Sequence, residues 1–252
     1  GMLIVHPRRP TGRQPDRDFA IMLSEWGIPI GASRPNPLEM SDFNVLTMNS
    51  KCFPGTEPLV ARRGDLVRIR FGNLSGMDNH PIHLHGYSFD IVGSDGGMFP
   101  RSARQPATTV IVPTGSCRVI ELVAEHSGDW AMHCHMTHHV MNQMGHDFPN
   151  MVGADVRRFD RRVRSLVPGY MTMGQNGMAS MGEMGMPVPT NSVPMRGGPG
   201  AFGNIDMGGM FTILKVRENL TSYDDPGWFE NPPGTLARQA TDAELAADGV
   251  DT

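Results

Sequence analysis

Several features that would direct a reading elsewhere are scarce in this 252-residue sequence. It has three cysteines, Cys52, Cys117 and Cys134, an odd number and too few to build a small disulfide-stapled fold, so at least one thiol is free or metal-bound. Its apolar runs, such as Met2–Val5, fall far short of the roughly 20 residues that cross a bilayer, so no membrane span is expected. Basic residues are not in excess: 22 Lys and Arg face 26 Asp and Glu, a formal charge of −4, and no stretch is strongly basic, which argues against a nucleic-acid partner. Aromatic residues make up 7% of the chain and charged ones 19%. No charged leader followed by an apolar stretch and a small-residue cleavage site opens the chain, so any export signal is expected to have been removed or to lie upstream.

What is abundant is Gly, Pro and Met, at 30, 21 and 20 residues. Gly and Pro interrupt helices, and the length suits one large all-β unit or two small domains. Short runs at Phe19–Trp26, Val45–Met48, Leu59–Val60, Leu66–Phe71, Ile82–Val92, Thr108–Val112, Val119–Ala124 and Trp130–Cys134 are separated by Asn, Asp, Gly and Pro. Within Leu66–Phe71, Val67, Ile69 and Phe71 alternate with Arg68 and Arg70, which predicts one buried and one wet face of an antiparallel sandwich. Met2–Val5 reads as a strand followed by an Arg/Pro/Gly linker up to Asp18. Met136–Met144 predicts about two helical turns stopped by Gly145. From about Arg161 the periodicity fades into a long irregular segment dominated by Met, Gly, Pro and Asn, with strand composition returning at 210–216 before an acidic, Pro-rich tail that holds Trp228 and Phe229.

Seven of the ten histidines fall in two short blocks, His80-Pro81-Ile82-His83-Leu84-His85-Gly86 and His133-Cys134-His135-Met136-Thr137-His138-His139. On a strand, His83 and His85 project to one face and Leu84 to the other, and His133 and His135 repeat the device. Four imidazoles on two strands then converge on one site that suits copper or another late transition metal. Cys134 projects to the opposite face, so two metal sites share one tripeptide. Candidates to join it are His80 on the other block, and His139 and Met144, five and ten residues further along. Two His, one Cys and a weak axial Met form a blue-copper ligand set. An electron on the Cys134 side has a short covalent path to His133 and His135.

At these residues the sequence resembles the C-terminal cupredoxin domain of the multicopper oxidases, the laccase-like blue oxidases. The resemblance runs from about Asp18 to Val152, includes Gly64-Asp65 and Gly128-Asp129-Trp130, and reaches back to Gly1–Val5. It implies an all-β, cupredoxin Greek-key sandwich with a short helix after the Cys strand. The implied division is a closing strand of a preceding cupredoxin domain at 1–10, the C-terminal cupredoxin domain at 11–160, and an irregular extension at 161–252. It implies type 1 copper on His80, Cys134, His139 and Met144, type 2 copper on His83, and type 3 copper on His85, His133 and His135. The expected activity is one-electron oxidation of a small-molecule or metal-ion donor coupled to reduction of dioxygen to water. The expected location is periplasmic or secreted.

A complete trinuclear cluster in that family takes eight histidines, four of them from two His-x-His motifs of another cupredoxin domain, and this sequence lacks those motifs. It is therefore expected to supply the type 1 site and half of the trinuclear ligands, and on its own to bind type 1 copper with little oxygen reduction. A homo-oligomer is compatible with this but does not restore the missing ligands. The alternative class is a non-catalytic cupredoxin electron carrier or copper-binding protein, which leaves His83, His85, His133 and His135 without a purpose; copper nitrite reductase ranks after both. His6, His126, His138 and His146 are assigned no copper, and Asp147 reads as a solvated loop carboxylate. Cys52 and Cys117 are expected to be free buried thiols, with a disulfide between them as the alternative. Met171, Met173, Met178, Met181, Met184 and Met186 offer thioethers suited to Cu(I), but adaptable apolar packing is the expectation for them.

Overall fold

The computed structural model describes residues 1–10, 12–29, 32–39, 43, 45–136, 139–140, 161–162, 165–166, 197–205 and 207–250. Strands dominate: β1 (Arg17–Trp26), β2 (Val45–Met48), β3 (Leu59–Arg62), β4 (Leu66–Asn73), β5 (His80–Leu84), β6 (Phe89–Ser94), β7 (Gly97–Met98), β8 (Gln105–Ala107), β9 (Thr109–Val112), β10 (Cys117–Val123), β11 (Gly128–Cys134), β12 (Gly198–Gly200), β13 (Gly203–Ile205) and β14 (Phe211–Arg217). A short helix α1 (Asp242–Ala247), capped reciprocally by Thr241 and Glu244, lies near the end. Among the described residues no helix is long and apolar enough to cross a membrane.

The strands form two large sheets and a small β12–β13 hairpin. The first runs β2-β1-β4-β10-β6-β7, with β8 also on β6, and the second runs β3-β14-β11-β5-β9. Each contains one parallel pair, β1 with β4 and β14 with β3, where an antiparallel sandwich was expected. Long crossovers cause this, because they bring together strands that are distant in the chain. Between the sheets, Val67, Ile69 and Phe71 are fully buried with Leu23, Leu84, Met132 and Leu214. On the outer side of the first sheet, Arg70 pairs with Asp18, and Arg68 and Arg104 pair with Glu121. The alternation in Leu66–Phe71 thus separates a core from a ladder of paired ions.

Three sequence expectations change. The apolar run Ile82–Val92 is two strands in different sheets, β5 and β6, because the chain turns at Gly86 (φ +70°). A Cβ there would lie 2.1 Å from the Trp130 ring, so the turn and the close approach both require glycine. Met2–Val5 belongs to no strand of the described sheets: Met2 rests against Gly72, while Leu3 and Val5 are exposed. The strand expected at 210–216, within the extension, is β14, which lies between β3 and β11 in the second sheet. The sandwich is therefore completed from beyond residue 160. Most of the helix expected over Met136–Met144, and the methionines at 171–186, lie outside the described residues.

The chain after β14 folds back over the second sheet. Lys215 pairs with Asp225 at 2.6 Å, Arg217 pairs with Asp129 at 2.7 Å, and the guanidinium of Arg17 lies 4.0 Å from the centre of the Tyr223 ring. Cys52, Cys117 and Cys134 are all free thiols, and Cys117 is only half-buried rather than buried.

Candidate metal centre

Strand parity puts the two histidine blocks side by side. β11 pairs antiparallel with β5, with His133 opposite His83 and Cys134 opposite Ile82. Cys134 and His80 face the interior, where both are fully buried together with His139. Cys134 Sγ lies 3.1 Å from His139 Nδ1 and 3.8 Å from His80 Nδ1, and the two nitrogens are 3.1 Å apart. A point equidistant from three atoms so spaced lies about 2.0 Å from each, close to the roughly 2.0–2.3 Å at which imidazole nitrogen and thiolate sulfur bind a late transition metal. Among the described residues this triad is the one group of three such side chains whose ligand atoms all lie within 4.8 Å of one another. Two imidazole nitrogens and one thiolate sulfur are a donor set that fits copper.

The far side of each ring is held as well. His80 Nε2 is 2.5 Å from Ser75 Oγ, and His139 Nε2 is 3.1 Å from Asp78 Oδ2. These bonds turn both Nδ1 atoms toward the sulfur. The loop that carries Ser75 and Asp78 is itself pinned: Asn73 Nδ2 donates to the Asp78 carbonyl, and the Met77 amide donates to the carboxylate of buried Glu25 at 2.7 Å. Burial pushes the Glu25 carboxyl above the usual range. Neither Ser75 nor Asp78 was singled out by sequence; a polar loop just before His80 was the only signal. Behind His139, its carbonyl accepts from the Met210 amide, and the Cys134 amide donates to the Met210 carbonyl. The segment entering β14 thus braces the ligand loop.

Burial pushes the Cys134 thiol up to about 12, with the Met136 amide pulling the other way. Without a metal the sulfur keeps its proton at neutral pH, and a bound cation has to displace it.

On the outer face of the same two strands lie His83, His85, His133 and His135. His85 Nε2 and His133 Nε2 are 3.0 Å apart, and the ring of His83 is 4.9 Å from that of His85 and 5.4 Å from that of His135. His83 Nδ1 donates to the Thr108 carbonyl at 2.8 Å, and His133 Nδ1 to the Cys134 carbonyl at 2.8 Å. Each such bond leaves Nε2 as the unprotonated donor atom of its ring. Burial lowers the His133 pKa to about 4, and burial followed by the nearby His83 and His135 lowers that of His85. At neutral pH both of these imidazoles are neutral, the form that binds metals. His85 and His135 are exposed, so this group opens outward.

The His126 carbonyl accepts from the Tyr87 hydroxyl and the Trp130 indole while the His126 ring lies 5.8 Å from that of Tyr87, and His6 is exposed. Met144, His138, His146 and Asp147 lie outside the described residues.

A two-sheet sandwich with a buried His-Cys-His triad between its sheets is a cupredoxin. The sequence profile of the multicopper oxidase family matches residues 29–154, half of the sequence, and the chain belongs to that family of copper-dependent oxidoreductases. It is 40% identical over 97 residues to putative laccase-16 of Oryza sativa subsp. japonica, covering 34% of this chain and 20% of the rice protein. It is 37% identical over 93 residues to the multicopper oxidase MmcO of Mycobacterium tuberculosis, covering 37% of this chain and 17% of that protein. The blue copper oxidase of Nitrosomonas europaea shares the fold, with a TM-score of 0.51 and 21% identity over 84% of this chain and 48% of its own. The chain therefore matches about a fifth of the length of these curated relatives.

Proposed function

We propose that this chain is the type 1 copper domain of a multicopper oxidase and holds half of the ligands of its trinuclear centre. The observation that carries the proposal is the sharing of one tripeptide between two donor sets. Cys134 closes a 3.1 Å contact to His139 on the inner face, while His133 meets His85 at 3.0 Å on the outer one. In this reading His80, Cys134, His139 and Met144 would hold type 1 copper. His83 would serve the type 2 ion, and His85, His133 and His135 would serve the type 3 pair. Bound copper would supply one-electron redox chemistry on the inner face and, with the centre completed, dioxygen reduction on the outer face.

The protein's part is to hold and connect these sites. Ser75 and Asp78 orient the inner imidazoles. With copper bound, Cys134 would offer electrons a covalent path along the backbone to His133 and His135, beside the hydrogen bond from His133 Nδ1 to the Cys134 carbonyl. The donor is a small molecule or a metal ion that yields electrons near His139. The remaining four histidines come from a second cupredoxin domain with His-x-His motifs, and the complete protein works outside the cytoplasm. An electron carrier needs only the inner set, and the paired outer imidazoles favour the oxidase.

Metal analysis of the copper-loaded chain, with its visible spectrum and electron paramagnetic resonance, tests this reading. One tightly held copper per chain with an intense thiolate-to-copper band and little oxygen uptake is expected. Absence of that band overturns the inner site, and oxygen reduction at the rate of a complete oxidase overturns the half-centre.

A further inference from the structure

The loop between β4 and β5 carries both supports of the inner imidazoles, Ser75 and Asp78, and it is fastened to the end of β1 at two points. The Leu74 amide donates to the Leu23 carbonyl at 2.9 Å, and Glu25 Oε1 accepts from two successive amides, those of Met77 at 2.7 Å and Asp78 at 3.3 Å. Gly76 lets the loop come this close: a Cβ there would lie 3.3 Å from the Phe43 ring and 3.7 Å from Glu25 Oε1. We infer that Glu25 is a positioning residue for the inner donor set, fixing the angle at which Asp78 meets His139 and thereby the reduction potential of copper held there, an assignment that rests on the type 1 copper reading above.

Three features point to that role. Glu25 is only 6% exposed, yet among the described residues it takes part in no ion pair, and its second oxygen, Oε2, is buried without a hydrogen-bond partner. A carboxyl buried with so little compensation costs stability, and packing alone does not account for it. One of the two bonds it does accept comes from the Asp78 amide itself, so the backbone from which the His139-binding carboxylate projects is held directly. Burial also raises the Glu25 carboxyl above its usual range against the pull of the two amides, and Asp78 adds to the rise. A neutral acceptor at Oε1 therefore suffices to hold the loop.

A carboxylate hydrogen-bonded to the far nitrogen of a ligating imidazole makes the ring a stronger donor and favours the more highly charged state of a bound metal. The 3.1 Å contact between Asp78 Oδ2 and His139 Nε2 is such a bond, and Glu25 sets its geometry. Asn73 holds the same loop from the other side, through the Asp78 carbonyl and the Ser75 amide, whereas Glu25 is the side chain that meets the Asp78 amide.

Exchange of the His139 Nε2 proton with water, followed by NMR in the full, metal-free chain, reads the hold on His139 without copper, and the reduction potential of the copper-loaded chain reads its consequence. Glu25→Leu should speed the exchange about tenfold or more and raise the potential, with the metal capacity of the outer imidazoles unchanged. Glu25→Gln keeps an acceptor at Oε1 and should retain both wild-type values. A merely structural role would lower the stability of Glu25→Leu without moving the potential of the folded chain. If Glu25→Leu does not fold, Glu25→Asp decides, because it keeps the carboxyl but withdraws it from the loop amides, and it should move both readings in the same direction. Wild-type exchange and potential in the folded variant, or a Glu25→Gln chain that behaves like Glu25→Leu, overturns the inference. Failure of the copper reading is distinct: the unaltered chain then lacks the thiolate-to-copper band, and exchange in the metal-free variants still decides whether Glu25 positions His139.

Discussion

The two faces of β11 have opposite characters although they share a tripeptide. The inner face holds Cys134 among fully buried partners, each ring fixed at its far nitrogen by Ser75 or Asp78. The outer face holds His133 and His135 among other imidazoles, with His85 and His135 exposed and no carboxylate among the hydrogen bonds described for them. The inner set closes on itself, whereas the outer set is open on the side away from the sandwich. A single residue step along a strand is enough to separate a protected electron site from one built to meet something else.

The strongest test of this contrast is Cys134→Ser. It should eliminate the thiolate-to-copper band entirely while leaving the metal capacity of the outer imidazoles unchanged, and loss of both together would mean the faces are not separate sites. His133→Ala is the reverse experiment. It should weaken outer-face metal binding by about tenfold to a hundredfold, read by competition with a chelator, and leave the visible band in place.

Gly86→Ala affects both faces, because its Cβ would meet Trp130 at 2.1 Å and its φ is +70°. A loss of about 2–4 kcal/mol in chemical denaturation is expected, with lowered occupancy of both sites. Asp78→Asn keeps the shape but weakens the hold on His139. Metal affinity at the inner site should fall by about tenfold, with no effect on the outer one.

The smallest effect is that of pH on the metal-free chain. The His133 pKa is lowered to about 4, against 6.5 for a free imidazole. Below 6.5 the unfolded chain takes up a proton that the folded chain refuses, so stability declines as pH falls from about 6.5 toward 4. His133→Ala should flatten that decline in a pH series of denaturation curves, and an unchanged slope would falsify the assignment to this residue.

Much of this architecture is legible in the residues. The Val67-Ile69-Phe71 alternation yields the core side of β4, and the His-Leu-His and His-Cys-His spacings yield faces, because side-chain direction on an extended chain is local. Other features could not be read this way. The break between β5 and β6 depends on Trp130, 44 positions after Gly86, occupying the space of a Cβ. The place of β14 inside the second sheet depends on pairing with β11, some 80 residues earlier, and composition signals a strand without naming its partner. Ser75 and Asp78 have no fixed spacing that marks them as supports for an imidazole.

The sequence by itself determined that four histidines and one cysteine lie on opposite sides of two strands, since a period of two follows from backbone geometry alone. Only the tertiary structure decided that Cys134 stands 3.1 Å from His139 and 3.8 Å from His80, that Met210 braces the ligand loop, and that Glu25 reaches the amides of Met77 and Asp78. Such distances arise from packing between segments far apart in the chain, where shape and burial rather than local preference select the arrangement.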